Sequence, residues 1–276
     1  MTTQTQQALP VVGAAMPSLS VYEFRDWLIE DQRDLEIQDP ALPNLFDGDW
    51  RGLVKALRMV LDGYSGRLGV HGPFVGVPLF TPDRKIRAAT LDRLYEALDY
   101  CAELGATHMV LHSPIANLGT PFDTFARTHY LDPVETIHAL FDPVVARAAS
   151  VGCALVIETV YDREPLPWIE MIRHFQSPYL RASIDVGHIF INHKLGAPPP
   201  DHWIFHAGAL LGHVHLQDTD GYTDRHWRLG TGDVKFHAVF AALRQIDAQP
   251  RLIIEMEQME DILPSAAWLA AQGLAR

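Results

Sequence analysis

The sequence predicts an α/β fold, a single-domain (β/α)8 or TIM barrel, on three observations. Its 276 residues suit one barrel domain, which typically needs about 250 residues. Short, β-branched apolar runs alternate with longer stretches of helical period along the chain. Each of eight apolar runs is followed by one such stretch. A doubly wound open sheet is the alternative, but eight regular units suit a closed barrel better.

The elements follow one another without a long linker or a low-complexity tract. The predicted strands are 11–16, 34–39, 67–73, 108–114, 153–159, 180–187, 211–218 and 251–257. The predicted helices are 18–31, 50–62, 84–104, 133–151, 166–175, 201–209, 235–247 and 262–272. A strand–GxGxxG–helix pattern is missing, which argues against a dinucleotide-binding fold. We expect 1–276 to form one barrel domain, with 1–9 as a flexible N-terminal tail.

The composition of the chain indicates which classes of partner and which cellular location to expect. The net charge of -12 disfavours a polyanion such as nucleic acid and favours a small substrate. No apolar run is long enough to span a membrane, and the N-terminus lacks the pattern of a signal peptide. Cys101 and Cys153 are too few for a disulfide framework and are expected to be reduced. These features predict a cytoplasmic protein.

Polar residues end six consecutive predicted strands, from the third to the eighth. They are His71, His112, Glu158, Asp185, His215 and Glu255. Barrel enzymes build their sites from these strand ends and the loops that follow. A parallel barrel strand is buried on both faces, so an imidazole or carboxylate there is costly unless it is paired or bound to a metal. One such histidine is usually a hydrogen-bonded structural residue, but six strand ends together indicate a metal site.

The segment after the seventh strand adds further candidate ligands. Asp224 and His226 are two residues apart, so in an extended segment they point to the same side and can reach one ion. His188 follows Asp185 by three residues. His215 is preferred over His213 because it is nearer the C-terminal end of its strand, which leaves His213 a layer deeper. His108 begins its strand and is expected at the opposite, non-catalytic face.

This order of residues resembles the xylose-isomerase-like barrel superfamily from about residue 10 to the C-terminus. That superfamily includes sugar and sugar-phosphate isomerases and epimerases and the endonuclease IV enzymes. The resemblance to the sugar 3-epimerases implies one divalent metal held by Glu158, Asp185, His215 and Glu255. It also implies substrate contacts by His188 and Glu164. The arginine that this branch has six residues after the metal histidine is replaced by Gly221, which departs from the pattern.

The resemblance to the endonuclease IV branch implies a centre of three zinc ions. Its outer ligands correspond to His71, His112, His188, Asp224 and His226, and 224–232 closely resembles the loop of that branch. However, the segment after the second strand, 40–50, is acidic where a loop that grips a DNA backbone should be basic. The chain thus has the ligand set of this branch without an evident nucleic-acid surface.

The function that we expect is a divalent-metal-dependent isomerase or epimerase of a sugar, sugar phosphate or polyol. It would act by proton transfer through a metal-stabilised enediolate, with Glu158 and Glu255 as catalytic groups. The first alternative is an endonuclease IV-like multinuclear phosphodiesterase or other hydrolase, and the second is a non-catalytic barrel or one with related lyase chemistry. One to three ions are expected, Mn2+ or Zn2+ before Mg2+. Trp227, like Tyr161 and Phe74, is a candidate for stacking on a carbohydrate-like substrate or for packing. Barrels of this superfamily often pair, which predicts a homodimer.

Overall fold

The eight predicted strands close into one barrel in the computed structural model of the protein, which describes residues 8–115 and 132–276. Every neighbouring pair is parallel, and β8 closes the barrel against β1. The predicted fold class is therefore confirmed. The strands are β1 (Gly13–Met16), β2 (Leu35–Ile37), β3 (Leu68–His71), β4 (His108–His112), β5 (Ala154–Glu158), β6 (Leu180–Asp185), β7 (Leu211–Leu216) and β8 (Arg251–Ile254).

Helices surround the barrel and connect successive strands. Those in the described part of the chain are α1 (Val21–Glu30), α2 (Trp50–Val60), α3 (Arg84–Leu104), α4 (Pro133–Val151), α5 (Pro165–His174), α6 (Val186–Lys194), α7 (Pro200–Ala207), α8 (Phe236–Leu243) and α9 (Ile262–Ala271). All eight predicted helices are present. Most of the N-terminal tail predicted for 1–9 lies outside the described residues.

Helix α6 was not predicted, and the sixth strand ends earlier than the sequence indicates. The predicted strand ran through 187, whereas β6 ends at Asp185 and α6 starts at the next residue. The side chain of Asp185 accepts a hydrogen bond of 2.7 Å from the backbone N–H of His188 and so caps the new helix. An aspartate at a strand end therefore also serves as a helix signal here.

Signals at the helix ends explain why the long helices start and stop where they do. Asp83 accepts hydrogen bonds from the backbone of the first turn of α3, and Asp132 does the same for α4. Gly105 and Gly152 follow these helices with φ of 82° and 72°, a left-handed conformation that glycine adopts without a steric penalty. No helix among the described residues is both long and apolar enough to cross a membrane.

The strand register places the polar strand ends at one rim of the barrel. His112 on β4 pairs with Glu158 on β5, and Asp185 on β6 pairs with His215 on β7. Glu255 follows β8 directly, and its backbone N–H donates to the carbonyl of Leu216 on β7. Since the strands are parallel and these positions are paired, the side chains meet at the C-terminal face.

Candidate metal centre

Four side chains from β5, β6, β7 and the end of β8 form the inner part of the site, which we call the inner quartet: Glu158, Asp185, His215 and Glu255. Each offers a ligand atom that lies within 4.8 Å of the other three. His215 Nδ1 lies 2.7 Å from an oxygen of Glu158 and 3.2 Å from an oxygen of Glu255. All four residues are buried. The sequence predicted this group, and the structure brings it together.

A second group shares Glu158 with the inner quartet. His71 Nε2 and His112 Nε2 lie 3.6 and 3.5 Å from Glu158 Oε2. These distances are too long for direct hydrogen bonds. Among the described residues, neither Glu158 Oε2 nor Asp185 Oδ2 has a hydrogen-bond partner, although both atoms are buried. Because buried carboxylate oxygens are normally paired, these two are the atoms that a cation would satisfy.

The third group, which we call the outer group, comprises His188, Asp224 and His226, lies nearer to solvent and is built mainly on the segment after β7. Asp224 Oδ2 lies 3.2 Å from His188 Nε2 and 3.1 Å from His226 Nε2. Asp224 is exposed, whereas the two imidazoles are half-buried. His226 adopts a φ of 45°, which is unusual for a residue with a side chain. All nine residues predicted as metal ligands thus fall into three adjoining groups.

Three of the candidate ligand histidines contact a backbone carbonyl through their other ring nitrogen. Nδ1 of His71, His188 and His226 lies 2.9, 3.0 and 3.3 Å from the carbonyls of Gly72, Thr159 and Glu255. A carbonyl oxygen only accepts, so Nδ1 carries the proton and Nε2 of the neutral ring presents a lone pair. In all three cases Nε2 faces a carboxylate. An imidazole lone pair and a carboxylate oxygen repel each other unless a cation or a further proton lies between them. Metal-ligating histidines have this arrangement, with the other ring nitrogen bonded to a carbonyl.

The charges at the site also suit a bound cation. Within the described chain, every ion pair made by the carboxylates of the inner quartet and of Asp224 is with a histidine, and none is with lysine or arginine. Burial would raise the pKa of Glu158, but the neighbouring His215 imidazole holds that pKa well below its ordinary value. Burial raises the pKa of Asp185 to about 6, despite the nearby His188. The donor set therefore fits a divalent cation bound by oxygen and nitrogen ligands.

Two glutamines that sequence reasoning missed, Gln217 (buried) and Gln38 (partly buried), orient the carboxylates. Gln217 donates hydrogen bonds to Asp224 at 2.7 Å and Asp185 at 3.3 Å, and so connects the inner quartet with the outer group. Gln38, after β2, donates at 3.0 Å to Glu255. Glutamine is common in loops and at strand ends, so neither position carried a signal in the sequence.

Asp218 organises the segment that carries Asp224 and His226. Its fully buried carboxylate accepts four backbone N–H groups: those of Thr219 (2.9 Å), Gly230 (2.9 Å), Gly232 (2.9 Å) and Val234 (3.1 Å). A Cβ at Gly232 would lie 2.4 Å from Asp218 Oδ1, so glycine is required for this close approach. The Gly-Thr-Gly sequence at 230–232 therefore binds the Asp218 carboxylate through the backbone N–H groups of its two glycines.

A fourth group lies one layer deeper in the barrel and corrects the expectation for His108. Glu36 on β2, His108 on β4 and His213 on β7 are fully buried and offer ligand atoms within 4.8 Å of one another. His108 does begin its strand, but its ring turns into the barrel interior against Glu36 and not towards the opposite face. His213 lies a layer deeper than His215, as expected. Glu36 was missed because one glutamate in a short strand carries no ligand pattern.

Two of the three residues predicted to contact substrate, His188 and Trp227, belong to the third group of candidate ligands or adjoin it. His188 belongs to the third group of candidate ligands, and Trp227 follows His226 with its ring half-exposed. Phe74 stacks on His112 with ring centroids 4.3 Å apart and lines a groove of about 370 Å³ with Tyr161. Glu164 is exposed at the start of α5, and no hydrogen bond or ion pair joins it to the candidate ligands within 8–115 and 132–276.

Asp162 is a buried carboxyl that sequence reasoning also missed. Ser113 Oγ donates to it at 2.7 Å and the Val160 N–H at 3.0 Å, so it ties the segment after β5 to the segment after β4. Burial raises its pKa to about 6. The Asp162 carboxyl therefore binds its proton more tightly in the folded protein than in the unfolded chain. The stability that this proton contributes is lost as the pH rises from about 4 to about 6.

We expect Asp162→Asn to remove this part of the pH dependence. The free energy of unfolding of the native protein should lose about 2–3 kcal/mol across that interval, relative to the variant. Urea unfolding at pH 4 and pH 7 measures it. Asp26→Asn, at a fully exposed side chain, is the control and should keep the native pH dependence. Equal pH dependence of Asp162→Asn and the native protein would contradict the prediction.

Comparisons with known proteins agree with this architecture. Residues 33–272 match the xylose isomerase-like TIM barrel family. The TTHB071 protein of Thermus thermophilus, a structure soaked with ZnCl2, is 30% identical, with 96% of this chain and 99% of that chain covered and a TM-score of 0.74. A D-tagatose 3-epimerase-like protein is 19% identical, with 96% and 98% covered and a TM-score of 0.77. An uncharacterized protein of Methanocaldococcus jannaschii is 23% identical over 77% of this chain and 72% of its own length.

The fold and the site together define a parallel eight-stranded barrel with a cluster of histidine and carboxylate side chains at the C-terminal ends of its strands. The chain belongs to the xylose isomerase-like TIM barrel family, which confirms the resemblance in the sequence.

Proposed function

We propose that the protein is a divalent-metal-dependent isomerase or epimerase of a sugar, sugar phosphate or polyol. One observation carries the proposal. Carboxylate oxygens of Glu158 and Glu255, from β5 and the end of β8, lie 2.7 and 3.2 Å from the same nitrogen of His215. Two carboxylates on different sides of one ion can serve opposite faces of a substrate carbon.

The inner quartet would hold the primary ion. His71 and His112 with Glu158, and His188 and His226 with Asp224, would hold up to two more, so that one to three ions are expected. Mixed imidazole and carboxylate ligands favour Zn2+ or Mn2+ over Mg2+. The zinc-soaked Thermus relative is consistent with that choice. When bound, the ion would stabilise negative charge on a substrate oxygen next to the carbon that loses its proton.

The protein side chains would carry out the proton transfer. One of the two carboxylates, Glu158 or Glu255, removes a proton from a carbon next to a carbonyl. For epimerisation the other returns a proton to the opposite face, and for isomerisation one carboxylate moves the proton between neighbouring carbons. Gln38 would hold Glu255 in place through its hydrogen bond. The buried position of Glu158 limits access of water to the reacting carbon.

The mouth of the site supports a carbohydrate-like substrate. Phe74, Tyr161 and Trp227 expose aromatic surface there, and such surfaces stack on the apolar faces of sugar rings. His188 would contact the substrate from the rim, and Glu164 would need to approach it from the start of α5. Sugar epimerases among the proteins of similar fold agree with this class of substrate. A cytoplasmic location and a homodimer stay predictions.

A multinuclear hydrolase resembling endonuclease IV is the second candidate. The observation that favours it is that Glu158 belongs to two ligand groups at once, as a carboxylate that bridges two ions would. Clustered ions would activate water and neutralise phosphate oxygens. The acidic 40–50 segment and the net charge of -12 disfavour a DNA substrate.

Exchange with solvent deuterium separates the two candidates. In deuterium oxide, the native protein loaded with Zn2+ or Mn2+ should introduce deuterium at one carbon of a converted ketose or aldose, as read by proton NMR. Glu255→Gln should reduce the rate by about 10²–10⁴-fold because it removes a proton acceptor. The control is Glu257→Gln, an exposed glutamate two residues further on, which should exchange at the native rate. Cleavage of abasic DNA without any carbon exchange would instead establish the hydrolase.

A further inference from the structure

Glu36 lies directly beneath the inner quartet and contacts three histidines. Its Oε1 lies 2.9 Å from His215 Nε2. Its Oε2 lies 2.9 Å from His213 Nε2 and 3.3 Å from His108 Nε2. Glu36 and all three rings are fully buried. The candidate metal ligands predicted from the sequence do not include this carboxylate.

His215 uses its two ring nitrogens for different neighbours. Nδ1 points to the inner quartet, where it meets the carboxylates of Glu158 and Glu255. Nε2 points in the opposite direction, to Glu36. A carboxylate that accepts the Nε2 proton leaves the lone pair on Nδ1, which is the nitrogen that faces the other candidate ligands. The same carboxylate also makes the ring a stronger electron donor.

We propose that Glu36 is a positioning residue for the metal centre: it fixes the tautomer and orientation of His215 so that Nδ1 binds the cation. The inference rests on the metal centre of the proposed function and not on its reaction. Carboxylates that support ligating histidines in this way typically change metal affinity about 10–100-fold. Glu36 does not touch the position of the cation or of the substrate, so its effect is transmitted through His215.

The surroundings hold Glu36 itself in place. Ser183 Oγ and His213 Nδ1 lie 2.9 Å apart, which fixes the His213 ring against Glu36. Gly69 on β3 leaves the space for His108, because an added Cβ would lie 1.8 Å from a carbon of that ring. The interior of the barrel is therefore shaped around a carboxylate with imidazoles on both of its oxygens. Alternatively, Glu36, His108 and His213 could bind a further metal ion. The test below distinguishes this ligand role of Glu36 from its positioning role.

The test measures zinc affinity of the full chain by competition with a chelator. Glu36→Gln keeps the shape of the side chain but removes its charge, and it should weaken zinc binding by about 10–100-fold. The control is Asp34→Asn, which makes the same charge change two residues earlier, at a buried carboxylate paired with Arg67 at 2.8 Å. Asp34→Asn should bind zinc within about twofold of the native protein, since substitutions away from the site rarely act on it.

A second measurement needs no variant. The native protein, labelled with nitrogen-15 and loaded with cadmium-113, should show metal coupling at Nδ1 of His215 and a proton at Nε2. Coupling at Nε2, or Glu36→Gln with native zinc affinity, would overturn the proposal. It would also be overturned by an additional ion that is lost in His108→Gln, because Glu36 would then be a ligand. If Glu36→Gln weakens zinc binding and Nδ1 of His215 binds the metal, but the native protein exchanges no deuterium, the proposed reaction is rejected and the role of Glu36 is still supported.

Discussion

Glu158→Gln is expected to lose the metal ions of the inner quartet and of the group with His71 and His112, and to reduce turnover by about 10³-fold or more. Glu158 contributes one oxygen to the inner quartet and faces His71 and His112 with the other. An amide keeps the size of the side chain but offers one neutral oxygen in place of two charged ones. Both groups therefore lose the carboxylate that they share, and the buried imidazoles lose the charge that faces them.

Elemental analysis of purified protein, before and after dialysis against the metal, measures this loss. Asp224→Asn provides the contrast. Because Asp224 belongs only to the outer group, this variant should lose only a fraction of the bound metal. Glu164→Gln is the matched control: it makes the same change in an exposed glutamate six residues further on and should keep the native metal content. Full metal occupancy in Glu158→Gln would refute the shared site.

Asp218→Asn is expected to lower the free energy of unfolding by about 2–5 kcal/mol and to remove the outer metal group. Each Asp218 oxygen accepts two backbone N–H groups. An asparagine amide replaces one of these acceptors with a donor, so two N–H groups lose their partner: the buried ones of Thr219 and Val234, or the partly buried ones of Gly230 and Gly232. Each buried group left unpaired costs about 1–3 kcal/mol.

Urea unfolding and metal analysis together measure this prediction. Asp220→Asn is the control, because Asp220 lies in the same segment, is partly exposed, and pairs with Arg225 at 3.0 Å. Its free energy of unfolding should change by less than about 1 kcal/mol, as is usual for a surface ion pair. A native unfolding midpoint in Asp218→Asn would show that the segment is held by other contacts.

The barrel could be predicted from the sequence because its signals are local. Alternation of apolar runs with helical stretches is visible within a few residues, and the closed sheet confirms all eight strands. The inner quartet could be proposed for a related reason. Parallel strands bring their C-terminal ends to one rim, so a list of polar strand ends is already a list of neighbours. Placing these residues required only the order of the strands.

The supporting residues could not be predicted because their roles depend on contacts between distant strands. Glu36 and His215 are 179 positions apart and meet only after the barrel closes. Gln217 and Gln38 act through side-chain hydrogen bonds that leave no periodic pattern in the sequence. Asp185 was recognised as a candidate ligand, but its second role as the cap of α6 shortened the strand that the sequence predicted.

The outer metal group depends on a different part of the architecture from the inner one. The inner ligands stand on or directly after barrel strands, whereas Asp224 and His226 stand on a surface segment that is anchored through the one carboxylate of Asp218. A change confined to this segment would therefore alter the outer group and leave the ligands on the barrel strands in place.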